Sequence, residues 1–587
     1  MSVQDRYDVL ILGSGIGGSM LGAILAKHGA KVLILEAETH PRFTIGEATT
    51  PDTNFRLKLL GLRYGIPEII NLSAFHQLRD AVSPASGVKR AFSFLYQRPG
   101  KELNPLETHQ YPTLAPPMGP DCHLFRQDTD AYMLAVALQY GADVRQQTRI
   151  AGIDLGENEI RLKSAKGEEF SGKYLVDATG FKSAMAEKLE LRDDVTRHRT
   201  NSRAIFTHMV GVKHYDNMVR PVRKHGLKYP LSQSTLHHVF PGGWCWVIPF
   251  NNHRDSTNPL CSVGLVLNRE IHPETGKDAE TEFREYISQF PEMKMQFEHA
   301  KAIRNWTSTS RLQYGAKNIS GHRYCLLSHA AGFVDPLFSS GLVMTTAMVD
   351  MLAKQLLDCI ASDDFSEGQF VHIDKFFQDS MRRFDEVVSS SFVSFRDFDL
   401  WDAWFRVWVV GLLIGTTLNA NLYLKYLETK DESILGWSEN KPYTGVLGLE
   451  FKPFRELYDK ALAEMDAVRE GQVAPAQAAT NIRAMMNKLS YVPTYFRWHD
   501  RRARTTPAFT VAGITRMYFW YRLSAPREIW KPLFDWSPWT AYAYVLSTLW
   551  ANSRLSRRRS WFFARDTFKA WNRDYVITPD ASEVRSH

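Results

Sequence analysis

Hydrophobic positions follow two different rhythms along this chain. Residues 7–12 (Tyr-Asp-Val-Leu-Ile-Leu) form a short apolar run of the kind that is buried on both faces of a parallel sheet. A glycine cluster follows, then Leu21, Ile24 and Leu25 at helical spacing, with Gly29 placed to close the helix. A second apolar run over 31–35 ends in Glu36. Arg126-x-Asp128-x-Asp130 precedes a predicted amphipathic helix through Tyr132, Val136 and Leu138 that Gly141 closes, and 150–171 predicts a hairpin with turns near Gly156 and Gly167. The stretch 172–180 predicts a strand ending in Asp177 and a turn at Gly180. In 241–249, alternation places Trp244 and Trp246 on one face of a strand. Beyond residue 395 the rhythm becomes helical. Trp401, Trp404, Phe405 and Trp408 share one helix face, and further helices are predicted over 454–469 and 474–489.

The opening pattern carries chemistry. Gly13, Gly15 and Gly18 form a G-x-G-x-x-G, with Gly17 beside the last, between a strand and a helix. Gly13 suits the tight turn, Gly15 lets the backbone approach a pyrophosphate, and Gly18 permits close helix–strand packing. Glu36, at the end of the next strand, is placed to accept hydrogen bonds from a ribose hydroxyl. This is a complete strand–turn–helix–strand dinucleotide fingerprint. Asp177 and Gly180, and later Asp335-Pro336 after Gly332, repeat the juxtaposition of glycine and aspartate beside apolar segments. Turn capping explains each alone but not their order along the chain.

Length and composition narrow the classes. At 587 residues, 44% hydrophobic and 23% charged, the chain is globular in composition and long enough for several domains' worth of structure. A net charge of +7 over such a length gives no case for a nucleic-acid partner. Five scattered cysteines have no metal-ligand spacing, so no metal is expected and a reducing, cytoplasmic compartment is. No signal peptide is read at the start, and the longest apolar run, 407–418, falls short of the ~20 residues that span a bilayer, so no transmembrane segment is expected. Of 15 tryptophans, 12 follow residue 400, which divides the chain into two unlike parts.

The order of these motifs resembles the glutathione-reductase-type FAD fold of aromatic hydroxylases and their relatives. That resemblance implies an α/β fold: a Rossmann-like βαβ unit plus a mixed-sheet substrate region, with a mainly α-helical C-terminal extension. The segment Gly243-Trp244-Cys245-Trp246-Val247-Ile248-Pro249, a G-W-x-W-x-I-P, is more specific. With Lys89 in a K-x-x-F-x-F pattern and the 335–342 segment Asp-Pro-Leu-Phe-Ser-Ser-Gly-Leu, the chain resembles flavin-dependent halogenases. Matching segments extend through 40–47, 63–67, 235–238 and 400–403, so the resemblance covers nearly the whole chain.

The resemblance implies the following roles. FAD would be held by Gly13, Gly15, Gly17, Gly18, Glu36, Arg42, Ile45, Gly46, Glu47, Ala48, Thr49, Arg126, Asp177, Gly180, Asp335 and Pro336. Chloride or bromide would bind at Ser340 and Gly341. Trp244, Trp246, Ile248, Pro249 and Phe338 would line the passage to the substrate. Lys89 would capture hypohalous acid and direct it onto the ring. Tryptophan halogenases carry a glutamate where Phe338 stands, so this chain is expected to act on another electron-rich small molecule: a pyrrole, phenol or indole-like ring. The base that removes the ring proton is unassigned. A separate NADH-dependent flavin reductase would supply FADH2, and a homodimer is allowed. Taken without the motifs, the two indoles are core aromatics and Lys89 is an exposed charge; the rival activities are an FAD hydroxylase and a non-catalytic FAD scaffold. The expected division is a halogenase core over 1–392 and a helical tryptophan-rich unit over 393–587. Its helices most simply pack on the core, with the alternative that some aromatics wall the substrate pocket. A basic run at 557–559 reads as a solvated turn, and 581–587 as a frayed tail.

Overall fold

The structure is a computed structural model that describes residues 6–194, 197–218, 226–435, 447–506 and 508–555. The basic run at 557–559 and the tail at 581–587 lie outside the described residues.

The first apolar run is strand β1 (Tyr7–Leu12), and the second is β2 (Val32–Leu35). They pair in parallel, joined by the helix Ile16–Lys27 that the glycine turn launches. From Val9 in the first strand, and throughout the second, both faces are buried, which is why they read as apolar runs rather than alternations. Next in the chain come β3 (Gly87–Lys89), β4 (Ala91–Tyr96), β5 (Thr108–Pro112), β6 (Asp121–His123) and β7 (Asp143–Arg145). The hairpin is β8 (Ile150–Leu155) with β9 (Ile160–Ser164), and β9 continues antiparallel into β10 (Glu169–Asp177). After these lie β11 (Ser202–Val210), β12 (Ser234–Phe240), β13 (Gly243–Pro249), β14 (Cys261–Asn268), β15 (Lys301–Ala302), β16 (Thr307–Thr309), β17 (Ser320–Gly321) and β18 (Tyr324–Leu326).

Among the described residues these strands make two eight-stranded sheets and one two-stranded ribbon. The nucleotide sheet runs β17-β18-β10-β1-β2-β7, with β8 and β9 attached beyond β10. The second sheet runs β15-β11-β14-β13-β12-β4-β5, with β16 also paired to β11, and is antiparallel except where β12 meets β4. Strand β13 is buried on both sides. Trp244, Trp246 and Ile248 enter the main core, while Cys245 and Val247 join a second core with Phe283 and Phe290. The ribbon pairs β3 with β6, setting Lys89 opposite Asp121.

The aromatic stripe after residue 395 lies in a 32-residue helix, Phe398–Thr429, whose first turn is capped by Asp397 accepting from the Leu400 N–H at 3.0 Å. This corrects the sequence reading of a short apolar run: 407–418 is the middle of a helix long and apolar enough to cross a bilayer. Its most apolar window is 89% buried inside the protein, against the helices Pro51–Arg63, Val371–Ser394 and Pro475–Asn487, so it is a core helix. The main core continues without a break from β1 to Tyr544 on the last described helix, passing residue 392, which lies inside Val371–Ser394.

Candidate active site

At the glycine turn, Gly13 adopts φ +92, and a side chain there would meet the Ala178 carbonyl at 2.7 Å. A Cβ on Gly18 would collide with the Gly13 carbonyl oxygen, so the close helix–strand packing requires glycine. Gly17 faces Thr345 of the helix Gly341–Ser362. Gly15 differs: a Cβ there would find only Arg42 Nη2 at 3.8 Å and Asp130 at 4.0 Å, leaving the backbone open toward a cation. That opening at a helix start fits a pyrophosphate, and hence a dinucleotide cofactor.

Glu36 holds the turn together. Its carboxylate accepts from the Ser14 N–H at 3.0 Å, the Ser14 hydroxyl at 2.7 Å, the Glu38 N–H at 2.9 Å and Arg42 at 3.3 Å. Burial raises its pKa, but Arg42 and these donors outweigh that and lower it, so it stays ionised. The 42–49 segment wraps the same opening. Arg126 forms a bidentate pair with Asp130 and donates to the carbonyls of Ile45 (2.7 Å) and Gly46 (3.1 Å). Glu47 accepts from His208 at 2.7 Å, and Ala48 bridges His123. Thr49, the last residue of the segment, bonds within the protein. Its hydroxyl is spent on the Cys122 backbone, and its carbonyl receives Lys89 Nζ at 2.7 Å. It joins the nucleotide loop to the lysine.

Asp177 is likewise turned inward. It accepts from the Thr179 N–H and hydroxyl, the Ser183 hydroxyl and the Met185 N–H, which shapes the turn entering Gly180. Asp335 is buried beside Ser202 and receives the Leu337 N–H at 3.0 Å. Burial pushes it to about 7 against the opposing effects of Leu337, Ser202 and Trp244. Pro336 starts the turn that the Ser339 N–H closes at 3.0 Å.

Lys89 is not an exposed charge; it is completely buried. Its Nζ sits 3.6 Å above the Phe92 ring centroid and 3.5 Å from the Ser339 hydroxyl. Burial lowers its pKa to about 7, opposed chiefly by the Asp121 carboxylate. Lys58, also buried, donates to the Met118 carbonyl at 2.8 Å and is lowered to about 7 by the same burial, again opposed by Asp121. Ser339, at φ +55, precedes Ser340 and Gly341, where the 22-residue helix Gly341–Ser362 starts without a side-chain cap. Its first N–H groups therefore have no side-chain cap, and the neutral His329 ring packs against Gly341.

An aromatic wall connects these parts. Trp246 lies 5.7 Å from Trp244, and Trp244 lies 5.5 Å from His237. His237 stacks on Phe94 at 4.3 Å, Phe94 lies 6.5 Å from Phe338, and Phe338 stacks on Trp408 at 4.5 Å. Trp408 in turn meets Phe92, under the lysine, at 5.4 Å. Ile248 continues the Trp244–Trp246 face, and the Pro249 carbonyl pins His123 at 3.1 Å. Sequence reasoning did not assign Trp408, Phe92, Phe94, His237, Lys58 or Asp121 to the site. The 3–4 spacing marked Trp408 as one face of a helix but could not say what that face covers. Asp121 has no local signature at all; only the β3–β6 register brings it opposite Lys89.

Comparison with known proteins gives the same answer from outside the geometry. Residues 100–404 match the tryptophan halogenase family model, and residues 11–67 match an NAD(P)-binding Rossmann-like domain. Lys89 falls between the two matches. Monodechloroaminopyrrolnitrin halogenase PrnC of Pseudomonas fluorescens is 37% identical over 93% of this chain and 97% of its own length. Tetracycline 7-halogenase of Kitasatospora aureofaciens is 39% identical over 81% of this chain and 86% of its own length. Among solved structures, halogenase PltM in complex with phloroglucinol and FAD superposes with a TM-score of 0.82 at 33% identity, covering 86% of this chain and all of that one. A nucleotide fold with an open cradle, a buried lysine and a shared sequence over nearly its full length make this chain a member of the tryptophan halogenase family, an FAD-dependent halogenase of aromatic substrates.

Proposed function

We propose that this enzyme chlorinates, or brominates, a free electron-rich aromatic or heteroaromatic small molecule at Lys89, with FADH2 delivered by a separate NADH-dependent flavin reductase. When bound and reduced, FAD supplies with O2 the oxidising power that converts halide to hypohalous acid. The backbone of Gly13–Gly18, Arg42 and the 45–48 loop braced by Arg126 hold the cofactor. Glu36 and Asp177 fix the turns around it, and Asp335-Pro336 positions the loop on its far side. The uncapped N–H groups at Ser340–Gly341 hold halide. The wall of Trp244, Trp246, Ile248, Pro249 and Phe338 excludes water and keeps the ring apart from the cofactor. Lys89 binds the hypohalous acid by hydrogen bond or as a haloamine and aims it at the ring.

One observation carries this reading: a fully buried lysine amine lies 3.5 Å from the Ser339 hydroxyl, next to the uncapped helix start, and 2.7 Å from the Thr49 carbonyl at the end of the cofactor loop. Relatives named for monodechloroaminopyrrolnitrin and tetracycline, and a third solved in complex with phloroglucinol, support ring substrates bearing hydroxyl or amino groups. Five buried, unpaired cysteines support a cytoplasmic location, and exposed Leu523, Trp539 and Tyr542 on the last helices support a homodimer, which sedimentation would test. The deciding experiment supplies the purified protein with FAD, a flavin reductase, NADH, O2, chloride and a panel of phenols, pyrroles and indoles. Mass spectrometry should show a chlorine isotope pattern; products carrying only added oxygen would establish a hydroxylase instead.

A further inference from the structure

The halogenation step needs a proton acceptor, and the glutamate position beside the lysine in tryptophan halogenases is here Phe338. We propose that Asp121 is that acceptor: the carboxylate that takes the ring proton as the carbon–chlorine bond forms. This rests on the halogenase reading above.

The observations are geometric. Asp121 is Lys89's direct partner in the antiparallel β3–β6 ribbon, so both side chains leave the same face of the ribbon. It is completely buried, and neither of its carboxylate oxygens completes a hydrogen bond. The neighbouring donors have their close partners elsewhere: Lys89 on the Thr49 carbonyl, Lys58 on the Met118 carbonyl at 2.8 Å, and the Asn54 amide, which also leans toward Asp121, on the same carbonyl at 3.0 Å. A structural aspartate at this depth is normally saturated with donors, as Asp177 and Asp402 are here. A buried carboxylate left open beside a reactive lysine is a group awaiting a ligand's proton. Asn54 Oδ1, Asp52 Oδ1 and the Tyr111 hydroxyl are buried without partners in the same neighbourhood. The two Asn54 and Asp52 acceptors suit a ring bearing O–H or N–H donors, which are also the substituents that make a ring electron-rich.

The step balances. Hypochlorous acid and the arene C–H give the aryl chloride and water. The C–Cl bond forms as O–Cl breaks; the breaking bond's electron pair stays on oxygen, so chlorine is reduced and the ring carbon oxidised. The hydroxide formed takes a proton from the Lys89 ammonium. The ring's C–H proton passes to Asp121, and the pair from that bond restores aromaticity. Asp121 then returns its proton to the Lys89 amine through the water molecule just formed.

The test uses the full-length protein with bound FAD, a flavin reductase and chloride. Its probe is resorcinol or 3-aminophenol, whichever the wild type chlorinates faster, unlabelled and ring-deuterated. Wild type should show no isotope effect, because loss of the proton is fast. Asp121→Asn should chlorinate roughly 10²-fold more slowly, with a primary deuterium isotope effect now visible. Asp121→Glu, which keeps the carboxylate on a longer arm, should recover part of the rate and show a smaller isotope effect. Asp121→Asn within twofold of wild type, or a slow variant with no isotope effect, would overturn the proposal. Should Asp121→Asn fail to fold, Asp121→Ser, which also removes the carboxylate, would do the same by chlorinating within twofold of wild type or slowly without an isotope effect. A wild-type protein that chlorinates nothing in the wider panel would instead overturn the halogenase reading.

Discussion

Lys89 is an unfavourable residue for the fold and a fitting one for the chemistry. It is wholly buried, and its amine is satisfied by one carbonyl, one distant hydroxyl and the face of Phe92. Lys89→Met keeps the apolar stem and removes the amine. It should retain FAD, lose chlorination by several orders of magnitude and raise the melting temperature at neutral pH; full activity would remove Lys89 from the mechanism. The pH dependence has a definite sign. Lys89 loses its proton near 7 in the folded protein and near 10.5 when unfolded. Between those values the unfolded chain holds the extra proton, so the site destabilises the fold most at and below pH 7 and progressively less as pH rises toward 10.5. Urea midpoints of wild type and Lys89→Met should therefore converge between pH 7 and 10, by an amount on the order of a few kcal/mol. The K-x-x-F-x-F spacing was legible in sequence, and the structure gives its reason. Phe92 and Phe94 share one face of β4, one beneath the lysine and the other stacked on His237.

At the scale of elements, two segments from opposite ends of the chain make the wall. Strand β13 supplies Trp244 and Trp246, and Trp246 has room because its cross-strand partner on β14 is Gly264; a Cβ there would overlap the indole. Gly264→Val should push Trp246 off its site, cost about 1–3 kcal/mol and uncouple FADH2 oxidation from chlorination, read as the ratio of chlorinated product to FADH2 consumed. The helix Phe398–Thr429 supplies Trp408, stacked on Phe338. Trp408→Ala should cost roughly 3–5 kcal/mol in urea denaturation and broaden the regiochemistry of the chlorinated product, because the ring would lose a wall. Periodicity predicted both elements and the faces of their aromatics. That the two faces meet could not be read, since contact between residues 244 and 408 depends on how a sheet and a helix dock.

For the whole molecule, the contrast between the two parts of the chain does not amount to two separate cores. The buried Asp402 on the long helix accepts from His109 on β5 at 2.7 Å, from Arg406 at 3.0 Å and from Arg483 at 2.8 Å, tying the C-terminal helices to the substrate sheet. Asp402→Asn should cost about 3–5 kcal/mol, since buried cations would lose their counter-charge. A chain ending at residue 392 would expose the apolar surface that the Phe398–Thr429 helix covers. It should aggregate or be proteolysed rapidly, whereas a stable, FAD-binding 1–392 fragment would show that the core is independent.

The sequence by itself determined the nucleotide fold, the cofactor class and the motifs that face the chemistry. Those rest on local constraints: a glycine where φ is positive, apolar runs for buried parallel strands, and alternation for β13. Tertiary structure alone decided which backbone groups Thr49 and Asp177 bond, that a tryptophan from the helical part stacks on Phe338, and that Asp121 stands opposite Lys89. Each depends on which partner a polar atom finds once the chain is packed, and hydrogen-bond partners far apart in sequence leave no periodic trace in it.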